Sequence, residues 1–293
     1  MTKYSIEQFS QITGITKFVL RTWENRYGFL RAERTDTKIR YYTDELLVRA
    51  LNSNYLLENG YKISAISKLT DDEIKSKVDN IKNSNDDISK ESFYIAKLIT
   101  SALNFDSNQF NLTYDQGVEE LGILEFYKSV LLVAFSKIGI FWLTNRIAPS
   151  QEHFLSELVK QKIGAAADAV SKNSINGQSW LLFLPENEFH EIGLLFAKFL
   201  LIKNGFEVVY LGANVPYGSL LELADKKRID NVLFFSVSNT SKSNLDFTIN
   251  YLNKSFPESK QFLVANSLDI NFLTKDHNIT ILDNLDDFIN IIS

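Results

Sequence analysis

The sequence predicts a multi-domain protein of mixed α and α/β class: a winged helix-turn-helix, a central four-helix bundle and a doubly wound parallel α/β sheet, in that order. Two short amphipathic helices separated by Gly14 open the chain, four longer helical segments follow, and strands then alternate with helices. A chain of 293 residues is long enough for several cores. We expect domains at residues 1–72, 92–175 and 178–293, with a linker over 73–91.

The composition excludes several kinds of site. The chain has no cysteine, which excludes disulfides, thiolate catalysis and cysteine–zinc sites, and its three histidines argue against a multi-histidine metal centre. The composition does not exclude a metal site with a single imidazole ligand. The sequence starts without the basic head and apolar run of a signal peptide, and no apolar stretch reaches the roughly 20 residues of a spanning helix. We therefore expect a cytoplasmic protein.

Positive charge is concentrated at the N-terminus. The formal net charge is −5, yet residues 1–70 carry 11 Lys and Arg against 7 Asp and Glu. Six of the eight arginines fall within the first 49 residues. Because arginine suits phosphates and guanine edges, this asymmetry predicts a nucleic-acid-binding head on an acidic body.

The first 70 residues carry the signals of a winged helix-turn-helix. The stretch "SIEQFSQITG" has helical apolar spacing at Ile6, Phe9 and Ile12 and is followed by "ITKFVLRTWENRYG", with Thr16 placed as the N-cap. Two short helices joined by a glycine turn are the helix-turn-helix arrangement. The basic "FLRAERTDTKIRYYTDEL" predicts a β-wing, and further helices follow over "ELLVRALNSNYLLENG" and "KISAISKLT". The side chains available for burial in the second helix are Phe18, Val19, Leu20 and Trp23.

This order of turn, recognition helix, wing and "RTWENRYG" junction resembles the winged helix-turn-helix of the MerR family of transcriptional regulators. The resemblance implies that double-stranded DNA is a partner, while Trp23 is better explained as a core residue. The residues that the resemblance places at DNA are Thr16, Lys17 and Phe18 at the start of the recognition helix, Arg21, Arg26 and Tyr27 facing phosphates, and Arg40 and Tyr42 in the wing.

One feature of that family is missing from residues 71–92. Members usually dimerise through a long coiled coil after the fourth helix, whereas this segment offers only Ile74, Val78 and Ile81 as apolar positions. The pattern predicts a frayed helix followed by a linker. Self-association is then expected to come from another part of the chain.

From Ser179 onward the pattern is that of a Rossmann-like domain. Buried strands are predicted over "SWLLFLP", "FEVVYLG", "NVLFFSV", "QFLVAN" and "ITIL", with helices between them. Repeated βα units predict a doubly wound parallel sheet that binds ligands at the carboxyl ends of its strands.

At the first such end, Glu188, His190 and Gly193 form an E-x-H-x-x-G motif that resembles the D-x-H-x-x-G signature of cobalamin-binding domains. The resemblance implies that His190 is the lower axial ligand of cobalt, with Glu188 holding its other ring nitrogen and Gly193 allowing close backbone approach. Ser236 and Ser238 partly match a second motif, and Ala265-Asn266 replaces a Gly-Gly pair. The alternative is a loop histidine that caps the next helix and binds no ligand.

A third constellation lies at one end of the bundle. Trp142 ends one predicted helix, and Glu152 and His153 open the next, with Pro149 and Ser150 as the helix start and N-cap. This spacing ahead of the sheet resembles cobalamin-dependent regulators of the CarH/LitR type. The resemblance implies an aromatic plate over the adenosyl group of adenosylcobalamin, with hydrogen-bonding groups beside it.

In that type of regulator a second histidine follows the tryptophan and takes the upper cobalt position after light cleaves the cobalt–carbon bond. Leu143 stands at this position here. The sequence thus raises the question whether cofactor presence or light is the signal.

Together these features predict a non-enzymatic DNA-binding regulator, of the repressor kind, whose oligomerisation and DNA binding respond to adenosylcobalamin. Self-association to a dimer or tetramer is expected to use the bundle and the cobalamin-binding domain. Two alternatives stay open. The chain could be a cofactor-free regulator that acts through protein–protein contacts, which Ala265-Asn266 would support, or a corrinoid methyltransferase subunit, against which the DNA-binding head argues. His277 is expected to be a surface residue.

Overall fold

The computed structural model describes residues 3–35, 39–81, 90–143, 148–170, 177–238, 242–265 and 279–293, which form two compact units, 1–158 and 159–293. The first unit contains both the predicted head and most of the predicted bundle, and the boundary falls inside one helix, Pro149–Ala169. His277 and Asn266 lie outside the described residues.

The head combines short helices with a two-stranded wing. Thr16 accepts a hydrogen bond from the Val19 amide at 3.3 Å, which confirms it as the N-cap, and the second helix ends where Gly28 takes a left-handed conformation. In the wing, the Tyr41 hydroxyl donates to the Glu33 carboxylate at 2.6 Å across the strand pair. The elements of the head are α1 (Ile6–Thr13), α2 (Lys17–Tyr27), β1 (Glu33–Arg34), β2 (Arg40–Tyr41), α3 (Asp44–Glu58), α4 (Ile63–Ile66) and α5 (Asp71–Ile81).

Burial along α2 differs from the prediction at its N-terminal end. Leu20 and Trp23 are buried as expected, but Phe18 is 79% exposed and Val19 is only half-buried. Helical geometry explains the difference, because Phe18 precedes Leu20 by two positions and so faces away from it.

Tyr42 belongs to the core of the head. Its backbone pairs with Tyr4 in an isolated antiparallel bridge, and its fully buried ring stacks on Phe9 with centroids 4.1 Å apart. The expected role of Tyr42 as a DNA contact in the wing is therefore wrong, since its ring is sealed beneath the first helix.

The segment expected to be a linker begins with the packed helix α5. Ile74 and Val78 are 1% and 2% exposed, and the Arg49 guanidinium of α3 pairs with Asp71 and donates to the Leu69 carbonyl at 2.6 Å. Ile74 and Val78, which are too few to form a coiled coil, thus pack within the head. This packing corrects the expectation of a frayed helix.

The helical segments of the bundle follow the four predicted stretches. Tyr55 of α3 contacts Phe93, with ring centroids 5.6 Å apart, which joins the head to the bundle within the first unit. Gly117 leaves room for the Phe126 ring, which a Cβ would overlap. The segments are α6 (Lys90–Leu103), α7 (Ser107–Leu121), α8 (Ile123–Glu125), a π-helical stretch (Phe126–Leu131), α9 (Leu132–Leu143) and α10 (Pro149–Ala169).

The start of α10 differs by two residues from the prediction. Pro149 is the first helical residue, so Ser150 lies inside the helix and is not its N-cap. The Gln151 side chain accepts a hydrogen bond from the Ala148 amide at 3.2 Å and donates to the Leu103 carbonyl at 2.8 Å. Pro149 nevertheless has the position expected of a helix-starting proline.

The second unit contains a five-stranded parallel sheet, which confirms the predicted strands. Its order is β4-β3-β5-β6-β7, so the chain moves to one side after β3 and returns to the other side of β3 for β5. Every residue of β3 is buried, which is why this strand reads as a continuous apolar run. The elements are β3 (Ser179–Pro185), α11 (Glu191–Lys203), β4 (Glu207–Val215), α12 (Tyr217–Ala224), β5 (Asn231–Ser236), α13 (Lys242–Ser255), β6 (Lys260–Ala265), β7 (Ile279–Ile281) and α14 (Leu285–Ile292).

Candidate functional site

The strand order defines where a ligand is expected in the second unit. The connection from β3 leads to β4 on one side of it, and the connection from β4 crosses back to β5 on the other side of β3. In doubly wound sheets, ligands bind at the carboxyl ends of the strands at such a switch point. The loop after β3 carries Glu188 and His190, and Val237 and Ser238 follow β5. Topology therefore brings the two predicted motifs to one edge of the sheet.

The Glu188 carboxylate is the centre of this edge. It is 3% exposed, and its Oε1 atom accepts from the backbone amides of Phe189 and His190 at 2.9 and 3.0 Å. Its Oε2 atom accepts from the amides of Val237 and Ser238 at 2.9 and 2.8 Å, and the Ser238 hydroxyl donates to Oε1 at 2.9 Å. One carboxylate thus joins the loop after β3 to the loop after β5.

Hydrogen bonding keeps this buried carboxylate ionised. Burial raises the pKa of Glu188, but hydrogen bonds from the His190 side chain and from the amides and hydroxyl around it outweigh that effect and lower the pKa to about 2. Glu188 is therefore an anion at neutral pH, although it is closed off from water.

His190 is held by one ring nitrogen. Its Nδ1 atom lies 2.6 Å from Glu188 Oε1 and 3.3 Å from the Ser238 hydroxyl, while the side chain as a whole is 66% exposed. A carboxylate favours the tautomer with a proton on Nδ1, so the lone pair of the neutral ring resides on Nε2. A ring fixed in this way can bind a metal through Nε2. His190 occupies the N-cap position of α11, but its side chain forms no capping hydrogen bond, so capping does not explain why this residue is a histidine.

The loop between β3 and α11 is shaped by a residue that the sequence did not single out. Asn214, near the end of β4, accepts from the Asn187 amide through its side chain at 2.9 Å and donates its own amide to the Glu188 carbonyl at 3.1 Å. Both asparagines adopt left-handed backbone conformations, which this residue type tolerates. The two positions are 27 residues apart, so only the strand order connects them.

Gly193 has a packing role. A Cβ atom on Gly193 would lie 2.7 Å from the Phe235 ring, so a glycine is needed for α11 to pack on β5. The sequence suggested close approach of a ligand as the reason for this glycine. In the structure, the Phe235 ring lies where a Cβ atom of residue 193 would project. Ser236, the last residue of β5, is buried at 3% exposure, whereas the next serine, Ser238, reaches the carboxylate.

The residues expected above the cofactor are placed as follows. Trp142 is in the last turn of α9 and Glu152 in the first turn of α10, as predicted, whereas His153 is the fifth residue of α10 and begins its second turn. His153 is exposed and its Nδ1 atom lies 3.8 Å from the Glu152 carboxylate. The side chains of Trp142 and Leu143 lie outside the described residues.

In the head, Arg21, Arg26 and Arg40 are exposed at the sequence-predicted positions. The Arg26 guanidinium lies 5.5 Å from the centroid of the half-buried Tyr27 ring, and Arg40 Nε is 3.7 Å from the Glu24 carboxylate. Arg49 differs from these three because its guanidinium pairs with Asp71 of α5 within the head. Across the part of the chain that the structure describes, no helix combines the length and apolar character needed to cross a membrane.

Comparison with known proteins identifies the families of two segments. Residues 4–73 match the MerR HTH family of regulatory proteins, and residues 94–166 match the B12 binding domain family. The HTH-type transcriptional repressor CarH of Myxococcus xanthus is 25% identical over 257 residues, which cover 87% of this chain and 85% of CarH. The repressor CarA of the same organism is 25% identical over 219 residues, covering 73% of this chain and 70% of CarA.

A solved structure resembles about two thirds of the chain in fold. The monomethylamine corrinoid protein of Methanosarcina barkeri superposes with a TM-score of 0.51 at 18% identity, covering 67% of this chain and 94% of that protein. The chain therefore combines a segment that matches the MerR HTH family with a segment that matches the B12 binding domain family, and it is homologous to the transcriptional repressors CarH and CarA.

Proposed function

We propose that this chain is a transcriptional regulator that binds double-stranded DNA through its head and whose DNA binding responds to adenosylcobalamin, with His190 as the protein ligand to cobalt. The observation that carries the proposal is the network of Glu188, His190 and Ser238 at the switch point of the sheet. Homology to two named repressors supports repression, rather than activation, as the mode of regulation.

The residues at this edge fit a corrinoid. When bound, such a cofactor supplies a cobalt ion that accepts an imidazole nitrogen on its lower face. Glu188 fixes the Nδ1–H tautomer of His190, orients the ring and raises its basicity, because an anion next to Nδ1–H increases electron density on Nε2. Ser238 in turn holds Glu188 through both its amide and its hydroxyl.

For the upper face we assign Trp142, Glu152 and His153. Exposed His153 and half-buried Glu152 offer hydrogen-bonding groups suited to ribose hydroxyls, and an indole offers an apolar plate for an adenosyl group. These residue types favour the adenosyl form of the cofactor over a form without an upper nucleoside.

The head binds DNA through charge and through its recognition helix. Arg21, Arg26 and Arg40 are exposed and assigned to phosphates, and the start of α2 is assigned to the major groove. We further infer that the cofactor-loaded protein self-associates, because several linked heads bind a repeated operator far more tightly than one head does.

The test is the absorption spectrum of the full-length protein mixed with adenosylcobalamin and desalted in the dark. We expect retained colour and a spectrum in which the benzimidazole of the cofactor is released and an imidazole is bound. The His190→Ala variant should lose this spectrum or retain much less cofactor. His153→Ala is the matched control, since it removes an imidazole assigned to the other face and should keep the imidazole-bound spectrum. Equal spectra and retention for wild type and His190→Ala would remove His190 from the site.

A further inference from the structure

The front of the recognition helix exposes one large apolar side chain. Phe18, the second residue of α2, is 79% exposed, more than any other large apolar side chain in the described ranges. Leu20 and Trp23 of the same helix are buried. The fold therefore does not use the Phe18 ring, which projects from the surface where the head is assigned to meet DNA.

A single exposed apolar residue is common, so the argument depends on its neighbours. The Lys17 ammonium is 2.7 Å from the Glu7 carboxylate, and this hydrogen bond lowers the pKa of Glu7. The Thr22 hydroxyl donates to the carbonyl of Phe18 at 2.8 Å, and the Thr16 hydroxyl accepts from the backbone at the N-cap. The polar side chains next to the ring thus bond to the protein itself.

Arg21 is the exception among these neighbours. It is exposed one turn after Phe18 and carries a positive charge on the same side of the helix. The exposed front of α2 therefore offers a phenyl ring beside a cation. A cation can bind the phosphate backbone of any sequence, whereas a ring can only distinguish bases by an apolar contact.

The chemistry of the major groove restricts what such a ring can recognise. Guanine, adenine and cytosine present hydrogen-bond donors and acceptors there, and thymine adds the one apolar group, its C5-methyl. We propose that Phe18 is a specificity-determining residue that reads a thymine at a fixed position of each half-site through contact between its ring and the C5-methyl group. This inference rests on the proposed DNA-binding function.

The experiment removes the methyl group from the DNA and the ring from the protein. Sites are first selected from random duplexes by the full-length protein with adenosylcobalamin. Each thymine of the selected site is then replaced singly by deoxyuridine, which differs only by lacking the C5-methyl. For wild type we expect one thymine in each half-site at which this change weakens binding about 4-fold, because a buried methyl group contributes about 0.8 kcal/mol. The other thymines of the site are internal controls.

The protein variants separate this contact from general loss of affinity. Phe18→Ala should bind more weakly and show no penalty for deoxyuridine at that position, and Phe18→Leu should restore part of the penalty. Arg21→Ala is the control, because it should weaken binding and reduce its salt dependence while keeping the full penalty. A full penalty in Phe18→Ala, or no methyl-dependent thymine in wild type, would overturn the inference and leave DNA binding intact. If wild type selects no site at all, DNA binding itself is refuted and the inference with it.

Discussion

Replacement of Glu188 by glutamine tests the central network of the sheet edge. The substitution keeps the shape of the side chain but turns one of its two oxygens into an NH₂ group. If Oε1 is replaced, the NH₂ faces the amides of Phe189 and His190, and if Oε2 is replaced, it faces those of Val237 and Ser238. Either orientation sets a donor against two part-buried backbone donors.

Two estimates, both based on the hydrogen bonds to Glu188, give the size of the effect. Leaving a buried donor unsatisfied costs about 1–3 kcal/mol, and at least two are affected. The pKa of Glu188 falls from 4.5 to about 2 on folding, and at 1.36 kcal/mol per unit this corresponds to about 3 kcal/mol. We therefore expect Glu188→Gln to lower the free energy of unfolding of the second unit by about 3 kcal/mol at pH 7.

The pH dependence of the difference has a definite sign. Because folding lowers the pKa of Glu188, its contribution to stability is fully present above pH 4.5 and is lost as the pH falls towards 2. Glutamine has no such titration. The difference between wild type and Glu188→Gln should therefore be largest above pH 5 and should shrink as the pH falls through this window.

Urea unfolding followed by tryptophan fluorescence measures this difference. In a background with Trp23→Phe and Trp142→Phe, the remaining tryptophan of the three is Trp180, which is buried in the sheet and reports on the second unit. Glu186→Gln is the matched control, since it changes an exposed carboxylate two residues away. A variant as stable as wild type at pH 7, or a difference that is constant between pH 6 and pH 2.5, would refute the reasoning.

Three further predictions concern the head and the response to light. Arg21→Ala and Arg40→Ala should each reduce the salt slope of DNA binding by about one unit, measured by titration at several salt concentrations, and unchanged slopes would exclude phosphate contacts at both positions. Tyr42→Phe should leave DNA affinity unchanged and not lower the melting temperature, because the buried Tyr42 hydroxyl has no hydrogen-bond partner among the described residues. Illumination of the adenosylcobalamin complex should give no stable bis-imidazole spectrum, because Leu143 has no donor atom for cobalt, and such a spectrum with full dissociation of oligomers on gel filtration would point to His153 instead.

Local sequence signals predicted much of the molecule. The buried strand β3 is a continuous apolar run, and the Glu188–His190 pair could be predicted because both residues belong to one short loop. Thr16 was found as an N-cap for the same reason, since a cap bonds to the third residue after it. Each of these features depends on residues that are close in sequence.

The errors arose where distant segments meet. The sequence places Tyr42 in the wing, but its backbone pairs with Tyr4 and its ring belongs to the core. The sequence likewise predicts a frayed helix at α5, but Asp71 of this helix pairs with the distant Arg49. Gly193 is a different case: its contact with a ligand stays a prediction, and the position of Phe235 on β5 adds a packing role that sequence spacing could not reveal. Sequence spacing contains no information on these neighbours, because tertiary packing decides them.

The packing of the head has a consequence for how a signal can reach DNA. A head on a free linker could change its DNA affinity only through the number of heads held together. Here Tyr55 of α3 contacts Phe93 of α6, and α5 pairs with α3 through Asp71 and Arg49. The head and helix α9, which carries Trp142, therefore belong to one compact unit. Displacement of α9 or α6 would therefore act on the head through packed side chains, in addition to any change in self-association. Tyr55→Ala should weaken the dependence of DNA binding on adenosylcobalamin in protein held at one oligomeric state, and an unchanged dependence would leave self-association as the sole route.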